Sequence, residues 1–334
     1  MDSLFTGARV LITGGTGSFG HAFVQSLLDT AKPARLVIYS RDELKQYEMA
    51  QRFPLEDYPA IRYFIGDIRD ESRLKRAMDG IDYVVHAAAL KHVPTAEYNP
   101  FECIRTNVHG AENVVSAAID AGVRKVIALS TDKACNPINL YGASKLASDK
   151  IFVAANSLAG ARDTRFAVVR YGNVVGSRGS VLPYFQRLVA EGAKDLPITD
   201  DRMTRFWITL KQGVDFVANA FGWMEGGEIF VPKIPSMRVV DLARAVAPDL
   251  PHRVVGIRPG EKLHEVMVGE DDARNTIEYD DRYVILPTFH PWRAGDIPHG
   301  QGKPVADGFR YASDTNDRWF EVETMRDLLA SGDV

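Results

Sequence analysis

A tyrosine and a lysine four residues apart lie just downstream of three further polar residues that can hold or move protons. Tyr141 and Lys145 begin an amphipathic segment, and Thr131, Asp132 and Lys133 follow the apolar run KVIALS. Residues four apart share one face of a helix, and a neighbouring ammonium makes a phenol with a pKa of about 10 usable as a base. Thr131 at the strand end can hold a substrate hydroxyl. The five residues predict a catalytic site that removes protons.

Each of these features also has a simpler explanation. A tyrosine and a lysine at this spacing often occur by chance at a helix start, and Asp132 and Lys133 can form an ion pair in a surface loop. Their place between the strand end and Tyr141 favours the catalytic interpretation.

A glycine-rich turn follows the first apolar run, ARVLIT, and opens a helix-period segment. Glycines let backbone N–H groups approach a pyrophosphate, and a helix N-terminus favours negative charge. A tight turn without a ligand is the alternative, which the flanking strand and helix disfavour. The candidate dinucleotide-binding residues of this turn are Gly14, Thr16, Gly17, Ser18, Phe19 and Gly20.

The end of the second apolar run, RLVIYS, bears on which dinucleotide binds. Enzymes that use NAD usually place an acid there for the ribose hydroxyls, whereas this chain has Ser40 and Arg41, which suit a 2′-phosphate. We therefore predict NADP. The alternative is that Arg41 and Lys45 are solvated charges at a helix start, where cations gain nothing from the helix dipole. The candidate set continues through Asp42, Glu43, Leu44 and Lys45, to Asp67 and Ile68 beside the adenine, and to the small residues Ala87 and Ala88.

Apolar runs alternate with helix-period segments from residue 8 to about residue 171. This rhythm predicts an α/β protein with a Rossmann-type doubly wound parallel sheet and a smaller, mixed C-terminal substrate domain. We place the NADP-binding domain at residues 1–172, with later segments returning to it, and the substrate domain and C-terminal tail at 173–334. A last helix is expected near Glu321, after a loop-rich stretch over 287–305 that wraps or packs on a neighbour.

Composition excludes several classes of protein. The chain of 334 residues carries 40 basic and 44 acidic side chains and no basic block, so no nucleic acid is expected. No apolar run approaches the roughly 20 residues that span a membrane. Two cysteines and a start without a signal-peptide pattern indicate the cytoplasm.

No metal site is expected either. Val268 stands where a zinc helix beginning at His264 would need its second histidine, and neither cysteine has ligands at metal spacing. Cys135, although near Lys133, is interpreted as a small loop or core residue.

The sequence resembles the extended short-chain dehydrogenases over nearly its whole length. Within them it is most similar to the inverting UDP-N-acetylglucosamine 4,6-dehydratases that begin pseudaminic acid biosynthesis for flagellin or surface glycans. Asp132-Lys133 after Thr131 is the most specific feature, because dehydratases that retain the sugar configuration typically carry Asp-Glu there. The stretches that carry the resemblance are YSRDELKQ, HAAALKHVPTAEYNP, STDKACNPINLYGASK, RYGNVVGSRGSV, MTRFWIT, EIFVPKIPSM and GIRPGEKLHEVM.

The resemblance implies a role for each catalytic residue in a hydro-lyase reaction. Tyr141 would take the proton of the C4 hydroxyl while NADP is reduced, and Lys133 would remove the C5 proton. A protonated Asp132 would donate to the departing C6 hydroxyl, and a proton delivered to the opposite face would invert C5. Lys133 must then be partly deprotonated, which we expect from burial and from cationic neighbours such as Lys91 or Lys145. Asp132 and Lys133 should titrate as a coupled pair.

The resemblance also implies the remaining binding residues and the assembly. It adds Lys91, Thr106, Tyr141, Lys145 and Val174 to the cofactor set. UDP-N-acetylglucosamine would be held by Lys91, Asn173, Arg178, Gly179, Ser180, Val181, Leu182, Thr199, Arg205, Arg258 and Glu261. Arginines bind a diphosphate through paired hydrogen bonds, although any one arginine is more often a surface charge. The family habit and an apolar tail with Phe289, Pro291 and Trp292 predict a homo-oligomer, from dimer to hexamer.

Two other functions stay open at this point. A 4-epimerase or reductase of the same fold would act on a similar nucleotide sugar but would need no Lys133. A non-catalytic NADP-sensing protein would have no reason to carry Thr131, Tyr141 and Lys145 together.

Overall fold

The computed structural model describes residues 2–288 and 301–332. The helices are α1 (Asp2–Phe5), α2 (Ser18–Thr30), α3 (Glu43–Arg52), α4 (Glu71–Met78), α5 (Val93–Tyr98), α6 (Pro100–Ile104), α7 (Gly110–Ala121), α8 (Leu140–Leu158), α9 (Val181–Ala190), α10 (Leu210–Trp223), α11 (Val239–Val246) and α12 (Val322–Ser331). A π-helical turn at Arg105–His109 leads into α7, and 3₁₀ turns lie at Asp132–Ala134 and Glu270–Asn275.

The strands are β1 (Arg9–Thr13), β2 (Arg35–Ser40), β3 (Ile61–Ile65), β4 (Tyr83–His86), β5 (Lys125–Thr131), β6 (Arg165–Tyr171), β7 (Asn173–Val174), β8 (Leu196–Ile198), β9 (Thr204–Ile208), β10 (Ile229–Pro232), β11 (Ser236–Arg238), β12 (His252–Val254), β13 (Val266–Val268), β14 (Thr276–Glu278), β15 (Arg282–Ile285), β16 (Lys303–Pro304) and β17 (Tyr311–Ala312).

A ten-stranded sheet in the order β16-β14-β15-β10-β6-β5-β4-β1-β2-β3 forms the centre of the molecule. The strands from β3 to β10 in this order run parallel, and β15, β14 and β16 extend the sheet antiparallel. Strands such as β1 and β5 are almost continuously buried, as expected where helices cover both faces. The predicted α/β class with a doubly wound parallel sheet is confirmed.

Elements from the C-terminal half contribute to this sheet as well as to a second lobe. β10, β14, β15 and β16 all come from beyond residue 172 and lie in the central sheet. The second lobe contains the β11-β9-β7 sheet and the pair β12-β8, with a core that includes Trp207, Met237 and Met325. The domain boundary at residue 172 stays a prediction.

The strand order reverses at β1, since β2 lies on one side of it and β4 on the other. In open parallel sheets this reversal leaves a crevice at the carboxyl ends of the strands, where ligands bind. The catalytic candidates follow β5 at the same edge of the sheet.

The C-terminal region agrees in part with what the sequence predicts. α12 begins at Val322, next to the expected Glu321. The tail residues Phe289, Pro291 and Trp292 lie outside the described residues. None of the helices in 2–288 and 301–332 is long and apolar enough to cross a bilayer.

Candidate active site

The glycine turn after β1 is packed too closely for side chains. Gly14 has a φ of +66°, and a Cβ there would lie 2.8 Å from the Cα of Ala88. A Cβ on Gly20 would collide with the carbonyl oxygen of Gly15. Gly17 precedes α2, whose first turn carries no acidic residue and no side-chain cap. The turn therefore leads into the first backbone N–H groups and the positive end of α2. Such helix ends are known to bind pyrophosphates.

The end of β2 carries an exposed cation beside this turn. The Arg41 side chain is 58% exposed, and its Nη1 lies 3.8 Å from Oδ2 of Asp67. Asp42 caps α3 by accepting from the backbone N–H of Lys45, whose ammonium also pairs with Asp42 at 3.1 Å. Ser40 is buried and accepts a hydrogen bond from Gln46. Arg41 thus has one loose acidic neighbour and remains accessible to an anion.

Asn139 positions the start of α8. Its side chain accepts from the backbone N–H of Gly142 at 2.7 Å and donates to the carbonyl of Gly260 at 2.8 Å. A Cβ on Gly142 would collide with the carbonyl oxygen of Lys133, so this glycine permits α8 to pack against the 3₁₀ turn at 132–134. This contact brings Tyr141 next to the Asp132-Lys133 pair.

Tyr141 lies in a site that opposes its ionisation. Burial raises the pKa of Tyr141 to about 12, although the nearby Lys133 ammonium and a hydrogen bond with Thr131 act in the opposite direction. Lys145 is also buried, which lowers its pKa despite the carboxylate of Asp149. The cation that most strongly lowers the pKa of Tyr141 is Lys133. The sequence predicts that Lys145 would do this.

Asp132 and Lys133 form an ion pair in which the acid is fully buried and the lysine is partly exposed. The distance from Lys133 Nζ to Asp132 Oδ1 is 3.0 Å, and the side chains are 24% and 0% exposed. Oδ1 of Asp132 also accepts from the hydroxyl of Thr131 at 2.9 Å. Its Oδ2 is buried and has no hydrogen-bond partner among the described residues. Lys133 also donates to Asn173 at 3.3 Å.

The charge environment of Lys133 differs from the expected one. Burial lowers its pKa, but the carboxylates of Asp132 and Glu265 outweigh burial and hold the pKa above its usual range. Burial raises the pKa of Asp132, and the negative charge of Glu265 adds to that effect. The expectation that cationic neighbours such as Lys91 or Lys145 would lower the pKa of Lys133 is wrong, because acidic side chains dominate. Instead, partial desolvation lowers the pKa of Lys91, and the Lys133 ammonium adds to that effect.

These residues lie together at the carboxyl edge of a parallel sheet, as does the glycine turn after β1. A family model described as polysaccharide biosynthesis protein matches residues 10–287, most of the sheet and of the site. The chain belongs to that family. The resemblance to the extended short-chain dehydrogenases predicted from the sequence is thereby confirmed.

Individual relatives extend the match to the whole chain. A Campylobacter jejuni protein, UDP-N-acetylglucosamine 4,6-dehydratase (inverting), is 56% identical over 332 residues, which are 98% of this chain and 98% of that protein. The crystal structure of Pen from Bacillus thuringiensis is 35% identical with a TM-score of 0.89, over 99% of this chain and 100% of that one. The dTDP-glucose 4,6-dehydratase DesIV from Streptomyces venezuelae, solved with NAD bound, is 26% identical with a TM-score of 0.67, over 76% and 86% of the two chains.

The remaining cofactor candidates lie around the β1–β4 crevice. Ala87 and Ala88 follow β4, and the hydroxyl of Thr13 accepts from the backbone N–H of Ala88 at 3.3 Å. Thr106, in the π-helical turn, has a buried hydroxyl without a hydrogen-bond partner among the described residues. That hydroxyl needs a partner, which a bound ligand can supply. Val174 forms β7 next to Asn173.

The substrate candidates of the 178–182 segment lie partly over the glycine turn. The backbone N–H of Arg178 donates to the hydroxyl of Ser18 at 3.4 Å. Gly179 has a φ of +76°, and a Cβ there would touch the ring of His92. Ser180 precedes α9 and Val181 begins it. Leu182 is fully buried in the core of the second lobe, so its side chain is not accessible to a ligand.

Four substrate candidates lie further along the chain, and Arg205 is the least accessible of them. It is buried, and its guanidinium donates to the carbonyl oxygens of Lys262 and Leu263, which leaves it poorly placed for a diphosphate. Arg258 is largely exposed, and its Nη1 lies 3.7 Å from Oε1 of Glu261. The hydroxyl of Thr199 contacts the sulfur of Met203.

Two features of the site escaped prediction from the sequence. Glu265 lies beside Lys133 as a second buried acid. Behind Lys145, Asp149 accepts from the Ser130 hydroxyl at 2.8 Å and from Arg170 at 3.3 Å. An acid directly before the apolar segment VMV was the one available signal for Glu265. The described residues contain no group of three or more His, Cys, Asp or Glu that could hold a metal ion.

Proposed function

We propose that this protein catalyses the NADP-dependent 4,6-dehydration of UDP-N-acetylglucosamine with inversion at C5, the first step toward pseudaminic acid. The observation that carries the proposal is the buried Asp132-Lys133 pair, held against Tyr141 at the carboxyl edge of the sheet. The 56% identity with a C. jejuni protein named for this reaction supports it. Retention of the Asp132-Lys133 pair also favours the dehydratase over the epimerase alternative.

The residues at the β1–β4 crevice fit a nicotinamide dinucleotide. The turn from Gly14 to Gly20 is held close to the residues that follow β4 and leads directly into the N-terminus of α2, which favours a phosphate. Thr106 offers a buried hydroxyl without a partner among the described residues. Ser40 and the exposed Arg41 favour a 2′-phosphate, and therefore NADP over NAD. The nicotinamide, when bound, supplies the reversible oxidation of the sugar at C4. The protein supplies the proton transfers.

Tyr141 takes the proton of the C4 hydroxyl in the oxidation. Its pKa of about 12 means that the phenolate must be stabilised within the site, and Thr131 and Lys133 already act in that direction. The C4 ketone that results makes the C5 proton acidic. Lys145 and Asp149 follow Tyr141 at four and eight residues along α8, and both are buried.

The Asp132-Lys133 pair can reach the protonation states of an acid and a base without exchanging protons with solvent. Transfer of one proton along the 3.0 Å contact from Lys133 Nζ to Asp132 converts the ion pair into a neutral amine and a neutral carboxylic acid. The amine removes the C5 proton, and Asp132 protonates the departing C6 hydroxyl, so that water leaves and the ion pair is restored. Oδ2 of Asp132, which has no hydrogen-bond partner in the described part of the chain, is the oxygen available for this donation. C6 then takes back the hydride that a bound nicotinamide would hold, and a proton delivered to the opposite face of C5 completes the inversion, so that the product is lighter than the substrate by one water.

The test uses the purified protein without added cofactor. Incubated with UDP-N-acetylglucosamine, it should convert the substrate into a product lighter by one water, detected by mass spectrometry. In deuterated water, the product should carry deuterium at C5 and the inverted configuration. A product of unchanged mass identifies a 4-epimerase, and no product at all identifies a non-catalytic protein. Either result overturns the proposal.

A further inference from the structure

Glu265 is a buried carboxylate beside the Asp132-Lys133 pair that the proposed mechanism does not use. The side chain is 2% exposed, and its Oε1 lies 3.4 Å from Nζ of Lys133. Oε1 is also 3.8 Å from Nε of Arg205, and Oε2 is 3.8 Å from Nζ of Lys262. Oε2 has no hydrogen-bond partner among the described residues. A buried carboxylate with three cations around it is costly to maintain and calls for an explanation.

The backbone on both sides of Glu265 is fixed. Its N–H donates to the hydroxyl of Ser313 at 2.9 Å, and the N–H of Ser313 donates to its carbonyl at 2.8 Å. Arg205 is equally fixed, because its guanidinium donates to the carbonyls of Lys262 and Leu263 at 2.9 and 3.1 Å. The Lys133 ammonium contacts two carboxylates, Asp132 at 3.0 Å and Glu265 at 3.4 Å.

We propose that Glu265 is a positioning residue for the elimination, which holds the amino group of Lys133 in place. This inference rests on the proposed function. Glu265 does not replace Asp132 as the acid. Burial opposes the ionisation of both carboxyl groups, but the cations Lys133, Arg205 and Lys262 outweigh it at Glu265 and lower its pKa, whereas the pKa of Asp132 stays raised. The negative charge of Glu265 stabilises the ammonium that Lys133 becomes after it takes the C5 proton. The same charge opposes early ionisation of Asp132.

The direction of the electrostatic effect is set by the charged groups around the pair. Burial lowers the pKa of Lys133, and Asp132 and Glu265 together raise it beyond that loss. Burial raises the pKa of Asp132, and Glu265 adds to the increase. Replacing Glu265 with a neutral residue therefore lowers the pKa of both partners. The titratable and charged side chains that face this cluster are Lys91, Asp132, Lys133, Tyr141, Arg205 and Lys262.

The test is the isosteric variant Glu265→Gln, assayed for water loss from UDP-N-acetylglucosamine over the neutral to alkaline range. We expect kcat to fall roughly 10- to 100-fold, because Lys133 becomes a weaker base and is less firmly held. The pH at which kcat rises should shift downward, because Lys133 loses its proton more easily. The KM should change little, since Glu265 does not touch the substrate in this scheme. Reduced-nicotinamide absorbance on substrate addition should persist, because the oxidation does not use Glu265.

Two further variants separate positioning from folding. Glu265→Asp keeps the charge and should recover part of the kcat and most of the pH profile. Glu228→Gln removes another buried carboxylate, which accepts from the backbone N–H groups of Glu225 and Gly226 at the opposite end of β10, and should lower stability without moving the pH profile. If Glu265→Gln keeps the wild-type kcat and pH profile, or if only its KM changes, the inference is wrong. If the wild type removes no water, the proposed function fails first.

Discussion

Replacing Lys133 with methionine tests the division of the reaction into an oxidation and an elimination. Methionine keeps most of the side-chain length but removes the amine that would take the C5 proton. Water loss should fall by a factor of roughly 100 to 10,000, which is the usual contribution of a general base. The oxidation at C4 should survive, so substrate addition should still raise the reduced-nicotinamide absorbance. Tyr141→Phe should abolish both signals.

The structure also sets a stability cost for this substitution. Lys133 is the cation shared by Asp132 and Glu265, which are 0% and 2% exposed. Breaking a buried ion pair by removing one partner costs about 3 to 5 kcal/mol. Proton uptake by Asp132 limits the loss, because burial already raises its pKa. Each unit of pH between the ordinary aspartate pKa of about 3.9 and this raised pKa adds about 1.4 kcal/mol to the cost. The variant should therefore be more stable in mild acid than at neutral pH, relative to wild type.

The double variant Asp132→Asn with Lys133→Met separates folding from catalysis. It removes both partners of the pair and should regain most of the stability lost by the single variant, measured by chemical denaturation, while water loss stays abolished. Full dehydration by Lys133→Met would refute the role of Lys133 as the base. Retention of the C5 configuration by wild-type protein would refute the inverting mechanism. Asp132 and Lys133 would then be a structural ion pair behind a different reaction.

Three further predictions follow from other parts of the molecule. Cofactor extracted from purified protein should be NADP, and recovery of mainly NAD would contradict the predicted specificity. Arg41→Ala should weaken binding of the 2′-phosphate by about 1 to 3 kcal/mol, measured by titration calorimetry with NADP against NAD. Sedimentation should give a homo-oligomer between dimer and hexamer, and a monomer at micromolar concentration would contradict the expectation drawn from the apolar tail. Burial lowers the pKa of His86 to about 3, so the folded protein should lose stability as the pH falls below about 6.5, by about 2 kcal/mol near pH 5. In denaturation curves measured at several pH values, His86→Gln should remove this pH dependence. An equal pH dependence in the variant and the wild type would refute the prediction.

The sign of the His86 effect follows from which state binds the proton. The unfolded chain takes up a proton on histidine below about pH 6.5, whereas the folded chain resists it until much lower pH. In the structure, Nδ1 of His86 shares a hydrogen bond with the Thr13 hydroxyl at 2.8 Å, and the Lys145 ammonium adds to the penalty on a charged ring. Stability is therefore present above this range and lost as the pH falls through it.

Most of the central sheet was predictable from the sequence because its inner strands in the N-terminal half are largely apolar runs between turn signals. Runs such as ARVLIT and KVIALS match β1 and β5 closely, since burial on both faces leaves no polar alternation to confuse the assignment. The antiparallel strands β14, β15 and β16 are short, and their pairing depends on chain segments far apart in sequence. Short length and long-range pairing leave no pattern of apolar residues in the sequence from which these strands could be predicted.

The sequence predicts part of the active site as well, namely the residues that are close together in the chain. Tyr141, Lys145, Asp132 and Lys133 are close in sequence, and their spacing alone places them together. The proton affinity of Lys133, in contrast, depends on Glu265, which lies far along the chain and reaches the site through the loop before β13. The sequence shows several cations near the pair, so it predicts a lowered pKa for Lys133. The fold places a second carboxylate, Glu265, 3.4 Å from the Lys133 ammonium, and Asp132 and Glu265 together outweigh burial and raise the pKa. The spacing of residues in the sequence identifies Lys133 as the candidate base. Its pKa depends on a carboxylate that only the tertiary fold brings near, so counting charged neighbours in the sequence cannot predict the direction of the shift.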